Sequence, residues 1–219
     1  MKNDLIRRFY KCEIRAEAPD DDGTRIITGR PIVYGQPTDI GGLFEEVIER
    51  GALEGTDLTD VRLLINHNVE MVPIARSRRN NGNSTMRLMP DLDGLGFNAS
   101  VDVRNNADSR TLCSAIDRGD ISGMSFMFSV APDGFIWERE DTDYPLRRIT
   151  KVASVVEISA CTFPAYEGTE ISTRSAKELE SARALLESMK NARSNKPVEI
   201  GDNTELELLK MKINLLGGF

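Results

Sequence analysis

The stretch from Leu95 to Val103 constrains this chain more than any other. Leu95, Phe97, Ala99, Val101 and Val103 fall on one side of an extended backbone, and Gly96, Asn98, Ser100 and Asp102 fall on the other. Side chains alternate faces along a strand, so an unbroken period of two predicts a half-buried strand. Pro90, Asp91, Leu92, Asp93 and Gly94 separate it from a second β-like run, Thr85 to Met89, and the glycine supplies the backbone angle that a tight connection needs. The pair is a hairpin.

The same periodicity appears near the start. Tyr10, Cys12, Ile14 and Ala16 face one way and Lys11, Glu13 and Arg15 the other, which predicts one half-buried strand over Tyr10 to Ala16. Asp20 to Gly23 is a turn signal, and Arg25 to Tyr34 resumes a β run interrupted by Gly29 and Pro31, as at a bulge. Val61 to Ile65, Ile121 to Val130 and Ile149 to Phe163 add further strands, the last two separated by the polar stretch Asp133 to Pro145. Between Asn105 and Gly119 the spacing of Leu112, Ala115 and Ile116 is helical, with Gly119 at the C-cap.

The character changes again at Ser175, which forms a capping box with Glu178 ahead of Leu179, Ala182, Leu186 and Met189 at helical spacing. A linker from Ser194 to Asn203, with Pro197 and Gly201, leads to a second helical pattern through Leu206, Leu209, Ile213 and Leu216. We therefore divide the 219 residues into a strand-rich domain, 1–173, and a helical tail, 174–219. Helices this short are marginal alone, so the tail is expected to dock against a partner.

Composition excludes several classes. A net charge of -7 opposes a nucleic-acid surface, which needs clustered Lys and Arg; Arg76, Arg78 and Arg79, and then Arg147 and Arg148, make only short clusters. Cys12, Cys113 and Cys161 are far apart and odd in number, which fits neither a disulfide framework nor a zinc ribbon and suggests a reducing compartment. No apolar segment follows the charged start, Met1 to Arg8, and no stretch approaches the roughly 18 apolar residues of a membrane span, so a cytosolic protein is expected.

Three residues could carry chemistry. His67 is the single histidine and lies between Asn66 and Asn68 just past an apolar strand. One histidine without neighbouring cysteines or paired carboxylates is a poor basis for a metal, and no metal is expected. In Gly123 to Phe128, Met124, Phe126 and Phe128 form a core stripe, so Ser125 points the other way, beside the space that Gly123 leaves open. Glu157 stands in the apolar run Val155 to Ala160, where a carboxylate must be paired, and an imidazole is a natural partner. Each also has a plain reading: a loop histidine, a strand serine and an exposed edge glutamate.

The order and surroundings of these residues tip the balance. Gly29 to Tyr34, Phe44 to Ile48 with Gly51 and Ala52, Leu63 to His67, Asp93 to Leu95, Gly119 to Ile121 with Met124 to Phe126, Val156 to Ser159, and Pro164, Ala165, Tyr166 and Thr169 together resemble the prohead serine proteases of tailed bacteriophages. That family is similar in fold to the herpesvirus maturation protease, assemblin. Ala75 stands where the family has glycine before arginine, and this chain lacks the second histidine that the herpesvirus enzymes use.

The resemblance implies an α+β fold, mainly an antiparallel β-barrel packed with a few helices, plus the C-terminal helical tail. It implies a serine endopeptidase without cofactor, with Ser125 as nucleophile and His67 as base; Glu157 is expected to stand in for the second histidine, and Arg148 is expected as a neighbour of the oxyanion site. The implied substrates are the scaffolding protein, or the scaffolding segment of the major capsid protein, and the protease itself. The site of action would be the immature capsid, the prohead, in the bacterial host cytoplasm, and a homodimer is possible. A peptide substrate would add as a strand beside an exposed sheet edge. The tail would retain the enzyme in the assembling shell, with self-cleavage within about residues 174 to 203, where the linker is most exposed. The rival readings are a non-catalytic internal capsid or scaffolding protein of the same fold, and an enzyme using Cys113 or Cys161 as nucleophile.

Overall fold

A computed structural model describes residues 5–10, 12–162 and 173–194. Among these residues the strands form three sheets. The first takes β1 (Ile6–Tyr10), β6 (Asp60–Ile65), β7 (Ala75–Arg78), β10 (Gly123–Val130) and β13 (Val152–Cys161) in the order β1-β10-β13-β6-β7. The second joins β4 (Thr38–Ile40), β5 (Phe44–Ile48), β11 (Phe135–Glu138) and β12 (Leu146–Ile149) as β11-β12-β5-β4. The third is β2 (Ile14–Ala16), β3 (Thr24–Val33), β8 (Met86–Asp91) and β9 (Gly94–Asp102), ordered β2-β3-β9-β8. Two helices complete the set, α1 (Ala107–Asp117) and α2 (Thr173–Ser194).

The period-two stripes become the core. Leu95, Phe97, Ala99 and Val101 of β9 are buried, as are Met124, Phe126 and Phe128 of β10. Tyr10 stacks on Phe126 with ring centroids 5.6 Å apart, and Phe126 meets Phe128 at 5.0 Å. At α1 the Asn106 side chain caps the N-terminus by accepting from the Asp108 and Ser109 amides. Its C-terminus closes at Gly119, where φ is +76°: the Gly119 amide donates to Ile116 and the Asp120 amide to Ala115. Only glycine enters that left-handed backbone region freely.

Five expectations change. The sheets are open and do not close into a barrel among the described residues, each ending in two outer strands. Closure needs every strand paired on both sides at a consistent stagger, and here the chain leaves one sheet for another after only a few residues. The strand expected over Tyr10 to Ala16 is the clearest case, since β1 pairs with β10 in the first sheet and β2 with β3 in the third. Likewise the run Ile149 to Phe163 splits into β12 and β13, and the polar stretch Asp133 to Pro145 contains β11. The pairing is mainly antiparallel, yet β12 with β5 and β13 with β6 are parallel.

α2 begins at Thr173, so Ser175 lies inside the helix and not at its cap. Its Ala182 and Leu185 pack on Ile40, Phe44, Leu43 and Trp137, with Trp137 edge-on to Phe44 at 5.1 Å. The chain thus covers part of this helix itself. The second tail helix, the linker past Ser194 and the Pro164-Ala165-Tyr166 motif lie outside the described residues.

Candidate active site

β13 is the middle strand of its sheet, antiparallel to β10 on one side and parallel to β6 on the other. Residues in register share a face. Ser125 stands opposite Ser159, and Met127 opposite Glu157, so Ser125, Ser159 and Glu157 look out from the side of the sheet away from the Met124, Phe126 and Phe128 stripe. β6 runs beside Glu157 through Arg62 and beside Ser159 through Leu64, which carries the chain end at Ile65 to the same place.

There the backbone turns sharply. Asn66 and His67 both adopt left-handed conformations, with φ of 51° and 56°. Asn66 fixes the corner: its amide donates to the Ala160 carbonyl at 3.0 Å, and its Oδ1 accepts from the Thr162 amide at 3.0 Å and hydroxyl at 2.9 Å. The corner turns the imidazole back over β13. His67 Nδ1 meets Glu157 Oε1, Glu157 Oε2 accepts from the Ser159 hydroxyl at 2.6 Å, and the Ser159 oxygen accepts from the His67 amide at 3.1 Å. The result is a closed ring of hydrogen bonds that grips His67 by both its main chain and its ring. The Glu157 side chain is only 4% exposed and that of His67 is 14% exposed, so little water competes. A carboxylate at Nδ1 favours the Nδ1–H tautomer and leaves Nε2 as the proton acceptor.

Ser125 is buried, and its hydroxyl donates to the Arg8 carbonyl at 2.7 Å. The room expected beside Gly123 is taken. The ring of Phe9 lies so close that a Cβ at position 123 would come within 2.1 Å of it, which is why only glycine fits there. Arg148 sits on β12 in another sheet, where Glu49 and Glu138 hold its guanidinium. Arg76 pairs with Asp60 at 2.6 Å. Among the described residues no three His, Cys, Asp or Glu side chains converge as metal ligands.

Two participants escaped the sequence reading. Ser159 lies two residues past Glu157 on the same face, and that period of two is the signal that could have found it. Arg8 contributes through its carbonyl, which leaves no mark in sequence.

The chain matches the family model described as Caudovirus prohead serine protease over residues 11–183. It belongs to that family. Comparison with curated proteins and with solved structures returned no match. Family membership implies a serine peptidase of the phage prohead, and the matched span holds His67, Ser125, Glu157 and Ser159 while β1 lies ahead of it. The thiols suit such a family only as packing groups. Burial, with the Glu157 carboxylate adding, pushes Cys161 up to about 12, and burial pushes Cys12 up to about 11. Cys113 is also raised by burial. The thiolate is the reactive form, so none of the three is poised as a nucleophile near neutral pH.

Proposed function

We propose that this prohead protease family member is a serine endopeptidase in which Ser125 attacks the scissile carbonyl, His67 takes its proton through Nε2, and Glu157 orients the imidazole and stabilises its charged form. The observation that carries the reading is the meeting of the only histidine with the buried carboxylate of Glu157, on the sheet face that also bears Ser125. Nothing in an inert capsid component calls for a desolvated carboxylate held against an imidazole, which is why the catalytic reading is preferred to a non-catalytic internal capsid protein.

The proposed substrates are the scaffolding protein or the scaffolding segment of the major capsid protein, within the prohead, together with the protease itself. A protease that reads an extended strand cannot cut a chain held in helix. α2 occupies Thr173–Ser194, so self-cleavage is narrowed to residues 195 to 203, and the tail past that point serves to hold the enzyme in the shell. The test is labelling of the full chain with a fluorophosphonate, followed by peptide mapping, beside co-expression with the capsid precursor. Modification at Ser125 and a shortened precursor are expected, both lost in Ser125→Ala. A modified residue other than Ser125, or unchanged processing by that variant, overturns the assignment.

A further inference from the structure

Strand addition next to the nucleophile requires a free flank of β10, and both flanks are occupied. β13 on one side carries Glu157 and Ser159 and belongs to the site. β1 on the other side is a five-residue outer strand, and it covers Ser125. The Ser125 hydroxyl is spent on the Arg8 carbonyl oxygen, so its proton points at main chain and not at an imidazole. Phe9, directly opposite Ser125, lays its ring over Gly123. Arg8 reaches through to the inner side of the sheet, where Glu46 accepts from its Nε at 2.5 Å and its Nη2 at 3.0 Å.

That inner anchor is shared. Glu46 also accepts from Arg147 at 2.9 Å, so one buried carboxylate serves two buried guanidiniums. Burial lowers the Arg147 pKa, and the nearby Arg8 charge lowers it further, while Glu46 opposes both. Withdrawal of Arg8 into water would leave a neutral Glu46–Arg147 pair behind. β1 is an outer strand of its sheet, and its departure leaves Glu46 still paired with Arg147. It also lies ahead of the matched family span, which begins at residue 11.

We infer that β1 is a displaceable strand: it occupies the flank of β10 that a substrate main chain takes, and exchange of β1 for an extended peptide segment uncovers Ser125. This rests on the reading of Ser125 as nucleophile. The Arg8 carbonyl is held by hydrogen bonding through its oxygen, an unreactive likeness of a bound substrate carbonyl.

Arg7 and Met127 are direct cross-strand partners, which permits a reversible lock. The full chain carrying Arg7→Cys and Met127→Cys is to be compared oxidised and reduced, with the disulfide joining positions 7 and 127 verified by peptide mapping. Fluorophosphonate labelling of Ser125 should fall at least tenfold on oxidation and recover with reductant. Phe9→Gly, which loosens the cover without any cross-link, should label several-fold faster than the parent while its circular dichroism stays unchanged. Equal rates in the two redox states, or a Phe9→Gly rate no higher than that of the parent, would overturn the inference and leave the nucleophile in place. Absence of any label at Ser125 in all forms, reduced and Phe9→Gly included, would instead remove the nucleophile reading and the inference with it.

Discussion

Glu157 and Glu46 are the same residue type in the same setting, each on a strand, each almost wholly buried, at 3% and 2% exposure. Their partners differ. Glu46 lies between Arg8 and Arg147, whose charges are permanent, whereas Glu157 faces an imidazole and a hydroxyl, whose protons can move. Burial alone would raise the Glu46 pKa, yet the two guanidiniums win and hold it below the usual carboxylate range. A buried carboxylate is thus no functional signal by itself. What it is paired with decides whether it ties elements together or tunes a base.

The largest effects should break the site without touching the anchor. Ser125→Ala and His67→Ala should each lower cleavage of the capsid precursor by about 10⁴-fold or more, since members of a catalytic unit fail together. The denaturation midpoint of Ser125→Ala should change little. A His67→Ala enzyme with near-parental turnover would mean that Glu157 is buried for structure alone, like Glu46.

Exchanging the two carboxylates for amides sharpens the contrast. Glu157→Gln should slow cleavage by roughly 10²- to 10⁴-fold at an unchanged cleavage site. Glu46→Gln removes the carboxylate that two buried guanidiniums share and should lose about 3–5 kcal/mol of stability in urea titrations. The contrast collapses if Glu157→Gln proves the less stable of the two.

A smaller effect is expected at Ser159, whose hydroxyl bridges the Glu157 carboxylate and the His67 amide. Ser159→Ala should cost about 1.5 kcal/mol, or about tenfold in turnover. Ser159→Thr, which keeps a hydroxyl, should recover part of it. A loss of stability with no change in turnover would assign Ser159 to packing.

The last difference is one of pH. A carboxylate whose folded pKa is depressed stabilises the fold above its unfolded pKa, about 4.3 for glutamate, and that contribution is lost as pH falls through the folded value. The stability gap between the parent and Glu46→Gln should therefore be constant above about pH 5 and narrow below about pH 4. A gap that widens in acid would contradict the pairing of Glu46 with Arg8 and Arg147.

How much of this was legible in the sequence follows from the range of each signal. The β9 stripe, the β8–β9 hairpin and the capped helix α1 are written in neighbouring residues, and they were read directly. Glu157 stood out because its immediate neighbours, Val155, Val156 and Ile158, are apolar. Glu46 did not, since a second carboxylate, Glu45, stands beside it, is partly exposed and pairs with Arg139. The strand over Tyr10 to Ala16 looked continuous because its alternation is unbroken, but alternation cannot tell which sheet each half joins. For the same reason the Phe9 ring over Gly123 was invisible: it depends on β1 pairing with β10, more than a hundred residues away.

The central place of β13 governs when the site comes into being. It is the last described strand in the chain, yet it inserts between β10 and β6, and the contact that it completes spans 90 residues from His67 to Glu157. Pairings of such long range form slowly, because loop closure must precede them. Until β13 is in place the imidazole has no carboxylate and Ser125 has no neighbour in Ser159. On the proposed mechanism an unfinished or half-folded chain is silent, and turnover would be a direct count of completed molecules.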